Sequence, residues 1–347
     1  MFVNSLNHFR AIAIVIIVAG HCFRIVGINF DTLPKLIFGN LIAGGTILFV
    51  FISGFLFHHI FYKRYQFKKF MLGKLKKVLL PYTLLSIIPI TSLVTQQTPD
   101  FAFYQPQGSD WFSLYLIPAL KYYITGRFLV AYWYIPFVML IFLLSPLHVA
   151  FIKLRIRNQL MITFLLFVVS VFLHRPSGNI FILQSVVYFM PVYLFGMICS
   201  QKKDFIYKRL ANKEIYLLLV AVALATLQSM AGRLGNYQKP PMLYDGLDLM
   251  MIQKVVLSLF FMVWLHRFEH INSKLINTLA STSFAIYFLH SFMLWGFEAL
   301  RISLGIGIGR PWLWYPLVTV GMVLVCIAIA LCIKQLLSKR SRYLIGY

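Results

Sequence analysis

Negatively charged residues are scarce in this chain of 347 residues, which has 9 Asp and Glu residues against 32 Lys and Arg residues. All of these acids lie in loops or at the ends of apolar stretches, at positions 31, 100, 110, 204, 214, 245, 248, 269 and 298. We therefore expect no buried carboxylate of the kind that a proton-coupled pump or an octahedral metal site requires. Charged residues make up 12% of the chain, against roughly 25% in a soluble domain, which excludes an ordinary soluble fold.

Cysteine is also rare, and the 4 cysteines show no CxxC spacing and no neighbouring metal-type ligands. They are Cys22, Cys199, Cys326 and Cys332, all in or at the edges of apolar stretches. We interpret them as packing residues and predict no metal site. A small-residue cleavage site is missing after the first apolar stretch, so we expect that stretch to remain as a membrane span.

Long apolar stretches are abundant, because 60% of the residues are hydrophobic. A helix needs about 20 apolar residues to cross roughly 30 Å of hydrocarbon. Ten stretches qualify: 10–28, 36–60, 78–95, 128–152, 158–174, 180–200, 215–231, 249–266, 276–297 and 312–333. The sequence predicts an all-α polytopic membrane protein, a bundle of about ten transmembrane helices that forms a single transmembrane domain over residues 1–347.

The net charge of +23 is distributed unevenly between the two sides of these spans. Of the 32 Lys and Arg residues, 22 fall on the side that also holds both chain ends. Because cytoplasmic loops carry an excess of Lys and Arg, both termini are predicted to be cytoplasmic. The cations are spread over membrane loops, so we expect contact with anionic membrane lipid and no nucleic-acid partner.

Polar side chains within the spans are few, and each is costly in hydrocarbon unless it faces the bundle interior. The set is His21, Ser53, Trp133, Tyr134, Ser283, Tyr287 and His290. We expect these side chains to line an interior site.

Arg10 and His21 lie eleven residues apart on the first predicted span. This spacing is about 16 Å along a helix and about 20° around it, so the two side chains share one face. An imidazole is the usual base for deprotonating a hydroxyl, and a guanidinium suits a phosphate-bearing group. His290 is predicted at a similar depth. A structural histidine with a snorkelling arginine would give the same spacing, which does not decide between the two hypotheses.

The pattern of Arg10, ten residues and then His21 resembles the acyltransferase-3 family, integral membrane enzymes that acylate carbohydrates and other extracytoplasmic acceptors. Three further segments match the family in the same order. They are "FVFISGFLF" with Ser53, Gly54 and Phe55, "GKLKKVLLPY" ending in Pro81 and Tyr82, and "STSFAIYFLH" ending in Tyr287 and His290.

The resemblance implies an acyl-CoA-dependent O-acyltransferase of the bacterial inner membrane. The donor would be acetyl-CoA or another acyl-CoA, and the acceptor an extracytoplasmic or lipid-linked carbohydrate. His21 would be the catalytic base, Arg10 would bind or orient CoA, and His290 is a further catalytic candidate.

The chain departs from the family pattern in two motifs. Lys74 and Lys77 stand where an Arg-x-x-Arg pair is common, so they keep the charge but lose the planar fork for bidentate phosphate contacts. They either bind CoA phosphates or anchor the cytoplasmic side. Ala131 stands where many members have a histidine, and Trp133 beside it either lines a tunnel or packs at the interface.

Ser53 and Tyr287 each allow two interpretations. Ser53 is a nucleophile if a base lies within reach, but a Ser-Gly pair within a span more often permits close helix packing, which we favour. Tyr287 shares a helix face with His290 and either orients the acceptor or links two helices.

Other functions remain open at this point. The chain could be a carrier or translocator of a glycan or lipid intermediate, or an acyltransferase acting on an amine or a lipid. A carrier is expected to have interrupted helices in corresponding halves of the chain, and the signals at Gly54 and Pro136 are weak.

Overall fold

The computed structural model describes residues 4–97, 99–305 and 307–347, and it is 78% helical. The helices are α1 (Asn4–Val26), α2 (Leu33–Ile42), α3 (Thr46–Leu56), α4 (Phe67–Lys74), α5 (Leu80–Gln96), α6 (Ile117–Thr125), α7 (Tyr134–Leu143), α8 (Ser145–Lys153), α9 (Ile156–Leu173), α10 (Ile182–Gln201), α11 (Lys203–Leu210), α12 (Glu214–Met230), α13 (Leu249–His266), α14 (Lys274–Ser303), α15 (Pro311–Leu337) and α16 (Ser341–Leu344). Two short strands, β1 (Arg175–Pro176) and β2 (Gln238–Lys239), pair in parallel. Single π-helical turns occur at Phe57–Phe61, Leu75–Leu79 and Phe112–Leu116.

Within the described residues, 8 helical segments are long and apolar enough to cross a membrane, when Leu33–Arg64 and Phe67–Gln96 each count as one segment. The number is up to 10 when each of two bent helix pairs also counts as one span. One bent pair is α7 with α8, at 54°, and the other is α11 with α12, at 89°. The prediction of an all-α polytopic membrane protein is confirmed.

The start and the end of the chain lie at the same end of the bundle, which we call the terminal face. There the backbone amides of Asn4 and Ser5 donate to the carboxylate of Glu269, at 2.7 and 2.9 Å, in the loop between α13 and α14. The C-terminal helix α16 packs against α5. The strands lie at the other end, which we call the opposite face. The cytoplasmic location of the terminal face stays a prediction.

The helices α3 and α10 approach each other closely at two glycines. A Cβ added to Gly54 would overlap the carbonyl oxygen of Tyr193, and one added to Gly196 would overlap that of Phe51. The Ser-Gly pair of the second span therefore permits close packing, as the sequence predicts.

The second predicted span, 36–60, is not one continuous helix. It breaks at residues 43–45, between α2 and α3, where Gly44 has a φ of +77°. The ammonium of Lys254, fully buried on α13, donates to the carbonyl oxygens of Asn40 (3.1 Å) and Leu41 (2.6 Å) at the end of α2. These carbonyls lack helical partners because the helix stops, and the lysine supplies the missing donors.

The expectation of no buried carboxylate is wrong, although the acids do lie at helix ends. Asp248 is fully buried and precedes α13, where its carboxylate accepts from the amide of Met251 (2.9 Å) and the hydroxyl of Tyr188 (2.7 Å). Glu214, also buried, accepts from Arg267 at 2.8 Å. Helix capping and ion pairing explain why these carboxylates tolerate burial.

Three of the cysteines, Cys22, Cys199 and Cys326, are buried and pack as predicted. Cys332 is exposed on α15, so the packing interpretation is wrong for that residue.

Candidate active site

Helices α1 and α14 pack along each other and bring His21 and His290 together. The two imidazoles stack, with ring centroids 5.5 Å apart and planes inclined by 26°. The Nδ1 of His290 lies 2.9 Å from the carbonyl oxygen of Ile286, and because a carbonyl only accepts, this nitrogen carries the hydrogen. In the neutral ring the lone pair is then on Nε2, which is buried and has no hydrogen-bond partner among the described residues.

The same two helices hold Arg10 near the terminal face. Its guanidinium donates to the hydroxyl of Ser283 at 3.0 Å, and that hydroxyl donates to the carbonyl of Ala280 at 2.8 Å. Arg10 lies in an open groove lined by Asn7, Arg10, Lys274, Asn277, Thr278 and Ser281. Ser283 thus orients the arginine that the sequence singled out, a role that the sequence analysis did not assign.

His21 is half-buried and lines two cavities near the opposite face. The first, which we call the aromatic cavity, has a volume of about 280 Å³. Its side chains include five aromatic rings together with charges of both signs: Arg24, Asp100, Phe101, Tyr104, Tyr122, Arg127, Phe128, Trp295 and Glu298.

The second, which we call the arginine cavity, also has a volume of about 280 Å³. Its polar and aromatic lining consists of His21, Thr46, Arg127, Trp133, Arg175, Asn179, Asn236, Gln238 and Tyr287. Residues 42–46, which comprise the break between α2 and α3 and one residue of each helix, form part of its wall. Arg127 lines both cavities, so they meet at His21 and Arg127.

Trp133 and Tyr287 both line the arginine cavity, and both are buried. The guanidinium of Arg175 lies 4.5 Å from the ring centroid of Trp133, a cation–π contact. The hydroxyl of Tyr287 donates to the backbone carbonyl of Ala131, and its ring lies 6.0 Å from that of His290. Trp133 therefore supports a cation at the cavity wall, and Tyr287 links α14 to the turn that precedes α7, beside the histidine pair.

The hydroxyl of Ser53 interacts with the hydroxyl of Tyr134. The close packing of Gly54 beside it agrees with the helix-packing interpretation that we favour for this pair, and the role of Ser53 stays a prediction.

Lys74 and Lys77 share a third cavity, of about 420 Å³, at the terminal face. We call it the basic pocket, and its charged and aromatic lining is Phe61, Arg64, Tyr65, Lys69, Phe70, Lys74 and Lys77. The ammonium of Lys74 lies over three rings, 4.2 Å from the centroid of Phe142, 4.7 Å from Phe61 and 5.1 Å from Phe70. The groove of Arg10 is separate from this pocket.

The loop that precedes α13 is held at the opposite face by an ion pair. Arg233 donates to both carboxylate oxygens of Asp245, at 2.7 and 2.5 Å. These hydrogen bonds lower the pKa of Asp245 below its ordinary value and raise the pKa of Arg233. The pair fixes the loop beside β2, whose Gln238 lines the arginine cavity.

Arg175 and Arg127 were not predicted as site residues. Arg175 stands directly after an apolar stretch, in the segment "LHRPSGN", and Arg127 stands directly before the fourth predicted span. A cation that borders an apolar stretch on the side opposite the termini is a signal that could have been used for both.

The structure is a helical bundle with many apolar spans, in which two stacked histidines lie at the junction of two cavities. The acyltransferase-3 family model, described as an acyltransferase domain, matches residues 3–331. The chain belongs to this family and is a membrane acyltransferase. Neither a curated protein nor a solved structure matches it.

Proposed function

We propose that this protein transfers an acetyl group from cytoplasmic acetyl-CoA to a hydroxyl of an extracytoplasmic or lipid-linked polysaccharide, in the bacterial inner membrane. The observation that carries the proposal is the stacking of His21 on His290, at 5.5 Å, where two cavities meet. Such a pair gives a proton acceptor at a point that both a donor and an acceptor can reach.

His21 is the residue of the pair that lines the cavities, so it is assigned as the general base. It takes the proton of the acceptor hydroxyl as the hydroxyl oxygen bonds to the acyl carbon. The carbon–sulfur bond of the thioester then breaks, and the proton passes to the leaving thiolate to give free CoA. His290, whose Nδ1 is fixed by the carbonyl of Ile286, holds the neighbouring ring in position.

Three cations at the terminal face are suited to the phosphates of acyl-CoA. Arg10 is oriented by Ser283, and Lys74 and Lys77 line the basic pocket with further cations. The rise of about 16 Å from Arg10 to His21 is of the length that an extended pantetheine arm spans. With the terminal face in the cytoplasm, Arg10 would anchor CoA while the thioester reaches His21.

The aromatic cavity suits a carbohydrate acceptor. It combines aromatic rings with carboxylates and guanidiniums, which supports recognition of a ligand with apolar ring faces and many hydroxyl groups. The acyl chains of a lipid acceptor would form no favourable contacts with the four charged side chains of this cavity.

A translocator is the alternative function, and the match of the acyltransferase family model over residues 3–331 counts against it. Helix breaks among the described residues occur in both halves of the chain, at 43–45, at residue 144 and between α11 and α12. The first of them forms part of the wall of the arginine cavity, so it has a place in an acyltransferase site as well.

The test is mass spectrometry of envelope glycans from cells that lack the gene, and from the same cells carrying the wild-type gene or the His21→Gln variant. We expect an acetyl group that is present with the wild-type gene and missing in the other two strains. An acetylated amine or lipid that depends on the gene would show that the acceptor is an amine or a lipid and not a glycan hydroxyl. Identical glycans, amines and lipids in all three strains would contradict an acyltransferase function that depends on His21.

A further inference from the structure

The arginine cavity carries positive charge without a matching acid. It is lined by two guanidiniums, those of Arg127 and Arg175, and none of its lining residues is Asp or Glu. The aromatic cavity on the other side of His21 contains Asp100 and Glu298 as well as cations. The two cavities therefore differ in charge although they have similar volumes.

Arg175 is held rigidly and still has hydrogen-bond capacity. It is 5% exposed, its Nη2 donates to Asn179 at 2.8 Å, and its guanidinium lies over Trp133. Its backbone amide donates to the carbonyl of Tyr237 at 3.2 Å, which ties it to the strand pair. Its Nε has no hydrogen-bond partner among the described residues. A buried guanidinium with an unused donor is costly unless a ligand takes that donor.

Asp248 interacts electrostatically with Arg175 but forms no hydrogen bond with it among the described residues. Its oxygens accept from the hydroxyl of Tyr188 at 2.7 Å and from the amide of Met251 at 2.9 Å. Arg175 forms no ion pair within the part of the chain that the structure describes. The carboxylate of Asp248 does not line the cavity, so it leaves the donors of Arg175 available to a ligand.

Two further groups are suited to an anionic sugar. The guanidinium of Arg127 lies 5.1 Å from the ring of Phe101, and its Nε likewise lacks a partner among the described residues. The side-chain oxygen of Asn236 is buried without a described partner and can accept from a sugar hydroxyl. The start of α3, at Thr46, adds the positive end of a helix to the same wall.

We propose that the acceptor extends from the aromatic cavity past His21 and Arg127, which line both cavities, into the arginine cavity. The sugar residue held in the arginine cavity bears a carboxylate or a phosphate, which Arg175 and Arg127 bind while Asn236 accepts from a hydroxyl of the same residue. This inference rests on the proposed function and names the acceptor class. A cavity of about 280 Å³ is at the small end of ligand pockets, so it holds one sugar residue of a longer chain.

The first test identifies the acetylated residue in the envelope glycans by tandem mass spectrometry. We expect that residue, or the one linked to it, to carry a carboxylate or a phosphate. An acetylated residue with only neutral neighbours overturns the inference and leaves the acetyl-transfer function in place. If no acylated product depends on the gene, the proposed function fails, and the inference fails with it.

The second test uses the purified full-length protein in lipid nanodiscs with the isolated acceptor. The untreated acceptor is compared with two treated forms, one with its carboxylates reduced to alcohols and one dephosphorylated. The treatment that abolishes binding shows which anion the protein recognises. We expect Arg175→Gln to raise the KM for the untreated acceptor about 10- to 100-fold, as for loss of a hydrogen bond to a charged group. Arg175→Lys should raise it less, because it keeps the charge.

Lys121→Gln is the matched control, since it removes a cation at the opposite face that lines neither cavity. It should leave the KM for the acceptor unchanged. Acetyl-CoA affinity serves as the control for folding of each variant. Equal KM values for wild type and Arg175→Gln, at normal acetyl-CoA affinity, would overturn the proposal.

Discussion

The basic pocket and the arginine cavity both concentrate positive charge, but they hold their cations in different ways. In the basic pocket Arg64, Lys69 and Lys77 are exposed, and only the Lys74 ammonium is fixed, over aromatic rings. In the arginine cavity Arg175 is buried and bonded. Exposed flexible cations attract anions generally and are screened by salt, whereas a buried guanidinium selects by position. The number of cations in a region is therefore a poor guide to how selectively that region would hold an anion.

The largest effect is expected at the histidine pair. His21→Ala and His21→Gln should both bind acetyl-CoA normally and lose about 10²- to 10⁴-fold in transfer rate, because neither side chain takes up a proton near neutral pH. Transfer of radiolabelled acetyl groups by the purified protein in nanodiscs measures this loss.

His148→Gln is the matched control, because His148 is a buried histidine that lines none of the three cavities described above. It should retain transfer activity. Near-normal transfer by a well-folded His21→Gln variant would remove His21 from the chemistry and leave His290 as the next candidate.

An intermediate effect is expected at the terminal face. Arg10→Ala should weaken acetyl-CoA binding about 10-fold, and Lys74→Ala with Lys77→Ala should add to the loss, because each removes a charge-assisted contact to phosphate. High salt should mimic the lysine changes more than the arginine change, since Lys77 is exposed. Isothermal titration calorimetry measures the affinities.

Lys68→Ala provides the comparison for the terminal face, because Lys68 is an exposed cation of α4 that does not line the basic pocket. It should leave the affinity unchanged. If the triple variant of Arg10, Lys74 and Lys77 binds acetyl-CoA with unaltered affinity, the nucleotide of CoA binds elsewhere in the protein.

The smallest effect is expected at the ion pair of Arg233 and Asp245. Because the folded-state pKa of Asp245 is lowered, the pair contributes above the ordinary carboxyl pKa, and its contribution is lost as the pH falls through the lowered value. Between about pH 5 and pH 8, Arg233→Gln should change transfer less than about 2-fold, as is usual for exposed pairs.

Protease cleavage within residues 231–248 measures this effect directly. The wild-type loop should become more sensitive only below about pH 4, and the Arg233→Gln loop should be sensitive at every pH. Identical cleavage of the two proteins from pH 3 to pH 8 would show that the pair does not hold the loop.

The sequence predicted the helical bundle and the similar depth of its two central histidines, but not the contact between their rings. Continuous apolar stretches define spans, and the similar depths of His21 and His290 allow their rings to meet once α1 and α14 pack together. The orientation of Arg10 by Ser283 depends on the same packing.

Other features depend on contacts between distant segments, which hydropathy does not encode. Hydropathy joins the stretch 36–60 into one span, although the Gly44-Gly45 pair is a signal of the break that could have been used. The contact of Lys254 with the end of α2 is not visible in the sequence. Arg175 reaches the arginine cavity because β1 pairs with β2, and this pairing joins loops on either side of three helices. Asp248 is buried because it caps a helix, not because it lies within a span.

The contact of Lys254 with the carbonyl oxygens of α2 also constrains biogenesis. The lysine and its acceptor on Asn40 are 214 residues apart, so α2 is synthesised and inserted long before α13 leaves the ribosome. A lysine inside hydrocarbon is unfavourable for an isolated helix. Here the carbonyl oxygens of α2 that accept from the ammonium are inserted in the membrane before α13. In a fragment translated without α2, the Lys254 ammonium of α13 would enter the lipid without its acceptors. The first helices of the chain therefore assist the insertion of the later helix α13.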